Sequence, residues 1–278
     1  MHDPPRSEPV AATRLQRADG RARISLRMRD GATRLAGLYQ EGCAKVRWPS
    51  PLPGAAPEAV LINTAGGLTG GDRLDVAVEL GAGASATVTT QACERIYRST
   101  GDVARVALSA SLGAGARLSW LPQETILFDG GRLSRSLTVD LAEGAEFLGV
   151  EAVLFGRVAM GERVVSGALH DRWRIRRSGR LIFADDLRFA GPIADSLARP
   201  AILGGGVALA TVVFAGADPE RRLEPVRELI GGEGGASAWD GKLVARICAR
   251  DGLGLRRRVE RILICLLGGR TLPKVWQL

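Results

Sequence analysis

The chain has 278 residues, enough for one large β domain or two ordinary ones, and a large core can be buried in either. A hydrophobic fraction of 46% beside a charged fraction of 24% is that of a globular protein and excludes a disordered chain. The net charge of +8 is almost wholly arginine, since Lys45, Lys242 and Lys274 are the only lysines; such a balance suits an acidic partner. Its two clusters, Arg172, Arg174, Arg176 and Arg177, and then Arg256, Arg257 and Arg258, carry no interleaved aromatics apart from Trp173. They read as solvated faces, not as a nucleic-acid interface.

Residues 1–20 are polar, rich in Pro and Arg, and expected to be loose; the opening MHDPPRSEPV has no apolar segment of the secretory kind. Cys43, Cys93, Cys248 and Cys265 form no CxxC and no pairing pattern, so they read as free, small, buried thiols in a reducing, cytoplasmic setting. Pro49, Pro51, Pro53 and Pro57 predict a loop before a strand at Ala59–Asn63. From there to about Phe189 the chain reads as short β segments broken by Gly, Asp and Ser.

That region holds an internal repeat. Gly83-Ala84, Gly115-Ala116 and Gly144-Ala145 are spaced by 32 and 29 residues, each with an apolar residue three positions earlier and a strand-like run after it. Gln91 and Gln123 each fall seven residues past the repeat alanine. Periods of this size mark a coil of stacked β segments. Gly permits positive φ at each corner and Ala keeps its inside small. A meandering antiparallel sandwich is the competing reading, and the regular spacing favours the coil.

Residues 200–217 are uncharged, but Gly204, Gly205 and Gly206 interrupt them, which predicts a turn and a buried strand at Val207–Phe214 and not a membrane span. Asp218-Pro219-Glu220 predicts a helix start running to Ile230, ended by Gly231, Gly232, Gly234 and Gly235. Lys242–Ala249 reads as a strand, and Leu255, Val259, Ile262, Leu263 and Leu266 as the core stripe of an amphipathic helix. The fold class is therefore mainly β: a β-helix-like coil over 21–200, with a smaller α+β region at 201–278 packed on it or continuous with it.

Catalytic constellations are missing from the sequence. His2 lies in the loose terminus and His170 stands alone between Leu169 and Asp171, without a triad, dyad or zinc spacing; it reads as a surface or strand-end residue. The run Thr64-Ala65-Gly66-Gly67-Leu68-Thr69-Gly70-Gly71-Asp72 lacks a GK[ST] ending and precedes a strand-like alternation, so it reads as a β corner and not a phosphate loop. Three carboxylates stand in apolar or glycine-rich settings: Asp72 after that run, Glu151 within Phe147–Leu154, and Asp185 after Leu181–Ala184. Such a group is costly unless it is paired or faces water or metal. The bland reading pairs each with an arginine such as Arg73, Arg157 or Arg188, or turns it outward.

Leu61–Leu74 with the glycine run, Thr89-Thr90-Gln91-Ala92 with Arg95-Ile96-Tyr97-Arg98, and Leu121–Phe128 together resemble blocks of the urease accessory protein UreD (UreH) family. Phe155-Gly156-Arg157-Val158-Ala159-Met160-Gly161-Glu162, Trp173–Leu187 and Leu272-Pro273-Lys274-Val275-Trp276 follow in order, Lys274 standing where the family more often has Arg. The resemblance implies a largely β coil without enzymatic activity, which acts in a complex with UreF and the GTPase UreG, docks on apo-urease and assists nickel insertion. With so little histidine, no cofactor is expected to be tightly bound. Asp72, Glu151 and Asp185 are expected to line a watery passage that holds nickel(II) weakly in transit. The alternative is a pure adaptor between proteins, with no ion path. A polysaccharide-acting enzyme would need clustered acids and aromatic subsites, which a 5% aromatic content does not favour.

Overall fold

The computed structural model describes residues 16–50, 55–157 and 160–276; Pro51, Pro53, Val158 and the expected loose segment up to residue 15 lie outside them. A hairpin opens the chain, β1 (Asp19–Arg29) pairing antiparallel with β2 (Ala32–Gly42). Then β3 (Ala44–Arg47) and β4 (Glu58–Asn63) lead into the coil. Its rungs are β5 (Arg73–Leu80), β6 (Ser85–Thr90) and β7 (Glu94–Ile96), then β8 (Ala104–Leu112), β9 (Arg117–Leu121) and β10 (Thr125–Leu127), then β11 (Arg132–Leu141) and β12 (Glu146–Phe155). The strands β13 (Gly167–Arg177) and β14 (Arg180–Gly191) follow, then the short helix α1 (Ile193–Ala198).

Each turn of the coil adds one strand to each of two sheets. The first sheet runs β14-β13-β11-β8-β5-β1-β2; the second, completed by β15 (Ala208–Ala215), β16 (Gly234–Trp239) and β17 (Lys242–Ala249), runs β16-β17-β15-β12-β9-β6-β4-β3, with β7 and β10 forming a narrow third side against β12. Pairing between successive rungs is parallel, as a coil requires. The expected corners are present: Gly83, Gly115 and Gly144 have φ of 71°, 65° and 67°, while Ala84, Ala116 and Ala145 are buried. Gly83 N–H donates to Ala114 and Gly115 N–H to Glu143, so corner stacks on corner. At these positions only glycine adopts the required φ without strain, which is why the repeat was visible in the sequence.

The C-terminal strands β15 (Ala208–Ala215), β16 (Gly234–Trp239) and β17 (Lys242–Ala249) extend the second sheet antiparallel from β12. Helices α2 (Leu223–Ile230) and α3 (Gly252–Leu267) cover the outside of that sheet. The helix expected from Asp218 begins instead with a 3-10 turn at Glu220–Arg222. Asp218 sits at φ 51° and does not cap it. Gly234 and Gly235, expected only to end a helix, already belong to β16. By contrast, Asp251 caps α3, accepting from Gly254 N at 2.7 Å, and Gly268 ends it at φ 59°.

Candidate functional site

Inward positions on the coil strands form two apolar cores separated by one polar layer. On β11 the inward residues are Leu133, Arg135, Leu137, Val139 and Leu141; on β13 they are Leu169, Asp171, Trp173 and Ile175; on β12 they include Phe147, Glu151 and Val153. Leu133, Leu169 and Val153 belong to one core, and Leu137, Trp173 and Phe147 to the other. Arg135, Asp171 and Glu151 occupy the level between them.

Arg135 binds Asp171 side-on, Nε to Oδ1 at 3.1 Å and Nη2 to Oδ2 at 2.6 Å. Its Nη1 donates to Thr125 Oγ1 at 3.0 Å and forms the ion pair with Glu151 on the opposite sheet. Trp120 Nε1 donates to Glu151 Oε1 at 2.9 Å. Each of the three charged residues is 6% exposed or less, and one cation faces two anions. Burial therefore pushes the Glu151 carboxyl up to about 7, with Asp171 adding repulsion and Arg135 opposing both. Arg135 is desolvated as well, but the two carboxylates outweigh that and hold it firmly protonated.

Beside this layer lies a cavity of about 200 Å³, roomy enough for several waters. Trp120, Arg135 and Glu151 line its deep end, and Lys45, Gly66 and the exposed Gln91 and Ala92 line its outer end. Glu94 lines it too, with Asn63 Nδ2 3.1 Å from both carboxylate oxygens. Burial pushes Glu94 up to about 6, a shift that Asn63 reduces. Cys93 stands next to it, its thiol pushed up to about 11 by burial and by Glu124, to which it donates at 3.4 Å. No group of three His, Cys, Asp or Glu side chains suited to hold a metal occurs among the described residues.

Of the three expected carboxylates, Glu151 lines the cavity and pairs with Arg135, not with Arg73, Arg157 or Arg188. Asp185 lies on the edge strand β14 and pairs with Arg246 at 2.7 Å. Arg246, Thr211 and Glu151 stand side by side across β17, β15 and β12, so Asp185 closes the far end of the row that Glu151 begins. Asp72 stands apart: its carboxylate accepts from Thr69 N at 2.7 Å and Ala18 N at 2.9 Å, fastening the glycine corner to the start of β1. Glu94, Arg135 and Asp171 escaped the sequence reading. A charged residue on the apolar register of an alternating strand was the available signal for the latter two.

The remaining blocks meet in pairs. Arg256 of α3 donates to Gln123 at 2.6 Å, to Glu124 at 3.2 Å and to Trp276 O at 3.1 Å, and Trp276 Nε1 donates to Leu121 O at 2.9 Å. Arg157 pairs with Glu162 at 2.8 Å and lies 4.4 Å over the Phe128 ring. His170 is held at 2.8 Å by Asp186, and the four cysteines are free and half-buried. No helix among the described residues is long and apolar enough to cross a membrane.

Fold and site define a two-sheet β coil with a charged layer and a small chamber inside it. The family profile described as UreD urease accessory protein matches residues 18–277. Relatives named urease accessory protein UreD include one from Rhizobium leguminosarum bv. trifolii, 56% identical over 270 residues, covering 97% of this chain and 98% of its own. Others come from Mesorhizobium japonicum, 51% identical with 95% of each chain covered, and from Brucella suis, 51% identical with 94% and 95% covered. The chain belongs to the UreD urease accessory protein family.

Proposed function

We propose that this protein is a non-enzymatic urease maturation factor of the cytoplasm, which joins UreF and UreG to apo-urease and gives nickel(II) a transit path through its chamber. Family membership supports the maturation role. The observation that carries the transit reading is the chamber with Glu94 and Glu151 on its wall, two acidic oxygen donors in one cavity that the exposed Gln91 and Ala92 also line. Nickel is cargo here. Carboxylates and water hold it loosely enough to release it, whereas a histidine cage would not.

In this reading Glu151 is the inner donor of the expected trio. Asp185 holds the far end of the polar row through Arg246, and Asp72 keeps the glycine corner and β1 in place. Arg135 is paired with Glu151, so nickel held by Glu151 competes with that ion pair. The net charge of +8 repels a dication at long range, but screening confines that effect to about 8 Å at physiological salt. The second reading, a pure adaptor, is favoured by the ties between α3, the Gln123–Glu124 loop and Trp276, which build a rigid outer layer for protein contact.

The test is urease activation with UreF, UreG and this chain, reading nickel per urease site. Replacing Asp72, Glu151 and Asp185 by Ala is expected to leave co-purification with UreF intact and to lower nickel incorporation, with Glu151→Ala alone giving most of the loss. Full incorporation with the triple variant leaves the adaptor as the function.

A further inference from the structure

A second depression, of about 430 Å³, lies on the outer face of the first sheet, opposite the polar layer. Parallel register sets its composition. One row across the sheet reads Arg73, Arg105, Ser134 and His170, and the next reads Asp75, Ala107, Ser136 and Arg172. Because alternate residues of a strand point the same way, all eight face outward together. Ala107 and the two serines leave the middle shallow, and the arginines stand around it.

Arg73 and Arg105 are direct neighbours on adjacent strands, a like-charge pairing that opposes sheet formation. No ion pair or hydrogen bond of the Arg73, Arg105 or Arg172 side chains occurs among the described residues. On the same strand β13, the outward Arg174 is matched by Asp186. Asp75 is the one carboxylate among the residues lining the depression; Asp186, beside Arg172, is engaged by His170 and Arg174, and Asp19 stands beside Arg73 on β1. Three guanidinium groups and two hydroxyls are thus unspent around one concavity.

We infer that this depression binds a phosphate-class oxyanion with at least two charged groups, a site on the outer face of the sheet whose wall shares Val106, Ala107, Arg135 and Ser136 with the chamber. Oxygen count selects the valence. With strands about 4.8 Å apart and about 3.3 Å per residue along them, Arg105 on β8 and Arg172 on β13, two residues apart in register, have backbones roughly 12 Å apart across β11. A lone phosphate offers fewer oxygens to three guanidinium forks and two hydroxyls than a diphosphate does. A diphosphate extends from one to the other over Ser134 and Ser136, whose hydroxyls donate to its middle. Arginine forks suit such paired oxygens. The same chemistry arrives as free pyrophosphate or as the phosphate tail of a nucleotide.

Calorimetric titration of the full chain, at ionic strength fixed with sodium chloride, tests the site. Pyrophosphate is expected to bind saturably at one site, at least tenfold tighter than inorganic phosphate. Arg105→Ala and Arg172→Ala should each weaken it at least tenfold, Arg105→Lys less, and Arg221→Ala, an exposed arginine of the helical layer, not at all. Circular dichroism checks that each variant is folded. Binding of ATP as tight as that of pyrophosphate assigns the site to nucleotide-borne phosphate, and weaker binding assigns it to the free anion. Equal affinity for phosphate and pyrophosphate overturns the inference. So does unsaturable binding that chloride reproduces, or tight capture of an acidic peptide that pyrophosphate does not displace.

Discussion

Arg135 holds carboxylates from two sheets at once, so its contribution is best judged by what its loss would strand. Removing one partner of a buried ion network leaves uncompensated charge and costs about 3–5 kcal/mol. Arg135→Met is therefore expected to lower the urea unfolding free energy by about that amount, because Glu151 and Asp171 would then face each other in an apolar shell. Glu151→Gln should behave differently. The Glu151 carboxyl titrates near 4.5 when unfolded and near 7 when folded, so the folded state binds its proton more tightly. Its contribution is fully present below pH 4.5 and is lost as pH rises through 7. Stability of the unaltered chain should fall over that window by at most about 3 kcal/mol from this group. Glu151→Gln, which cannot ionise, should flatten the fall; urea midpoints at pH 5 and pH 8 for both proteins decide it, and identical slopes would assign the titration elsewhere.

At the level of elements, the coil is written in its corners. Gly115 adopts φ 65° with open space where a side chain would point, so Gly115→Ala meets only backbone strain, about 1 kcal/mol. Gly70 is different: a Cβ there would lie 2.1 Å from Ser99 Oγ and 2.4 Å from Asp102 O, a collision with backbone. Gly70→Ala is expected to cost about 2–3 kcal/mol, which thermal melts of the two variants would separate. The same contrast explains what could be read in advance. Gly83, Gly115 and Gly144 recur because each corner needs the same φ, and β17 and α3 announce themselves by local alternation and periodicity. Arg135 and Asp171 stand on the apolar register of their strands, but Ser134-Arg135-Ser136 looks solvent-facing by itself, and only the alternation of Leu133 and Leu137 around it turns Arg135 inward. Glu94 belongs to a strand of three residues, too short to show any period. Its position follows only from the pairing of β7 with β10.

On the scale of the whole molecule, the helical layer is fastened to the coil by the chain's own end. Trp276 is 4% exposed, sits under Arg256 at 4.8 Å and bonds Leu121 of the coil. Trp276→Ala should cost about 3–5 kcal/mol by loss of a large buried ring and should loosen α3 before the sheets, so hydrogen exchange in Gly252–Leu267 should rise more than in β8 or β11. The opposite flank has no such cover. The strand β2 ends its sheet, and Leu35, Leu38 and Tyr39 on it are 46%, 39% and 48% exposed. Among the described residues its outer rail of amides and carbonyls has no partner strand over its eleven residues, and these include no proline or lysine. Purified by itself at high concentration, the protein is thus expected to zip onto further copies along this rail, a growth in particle size with concentration that light scattering would read.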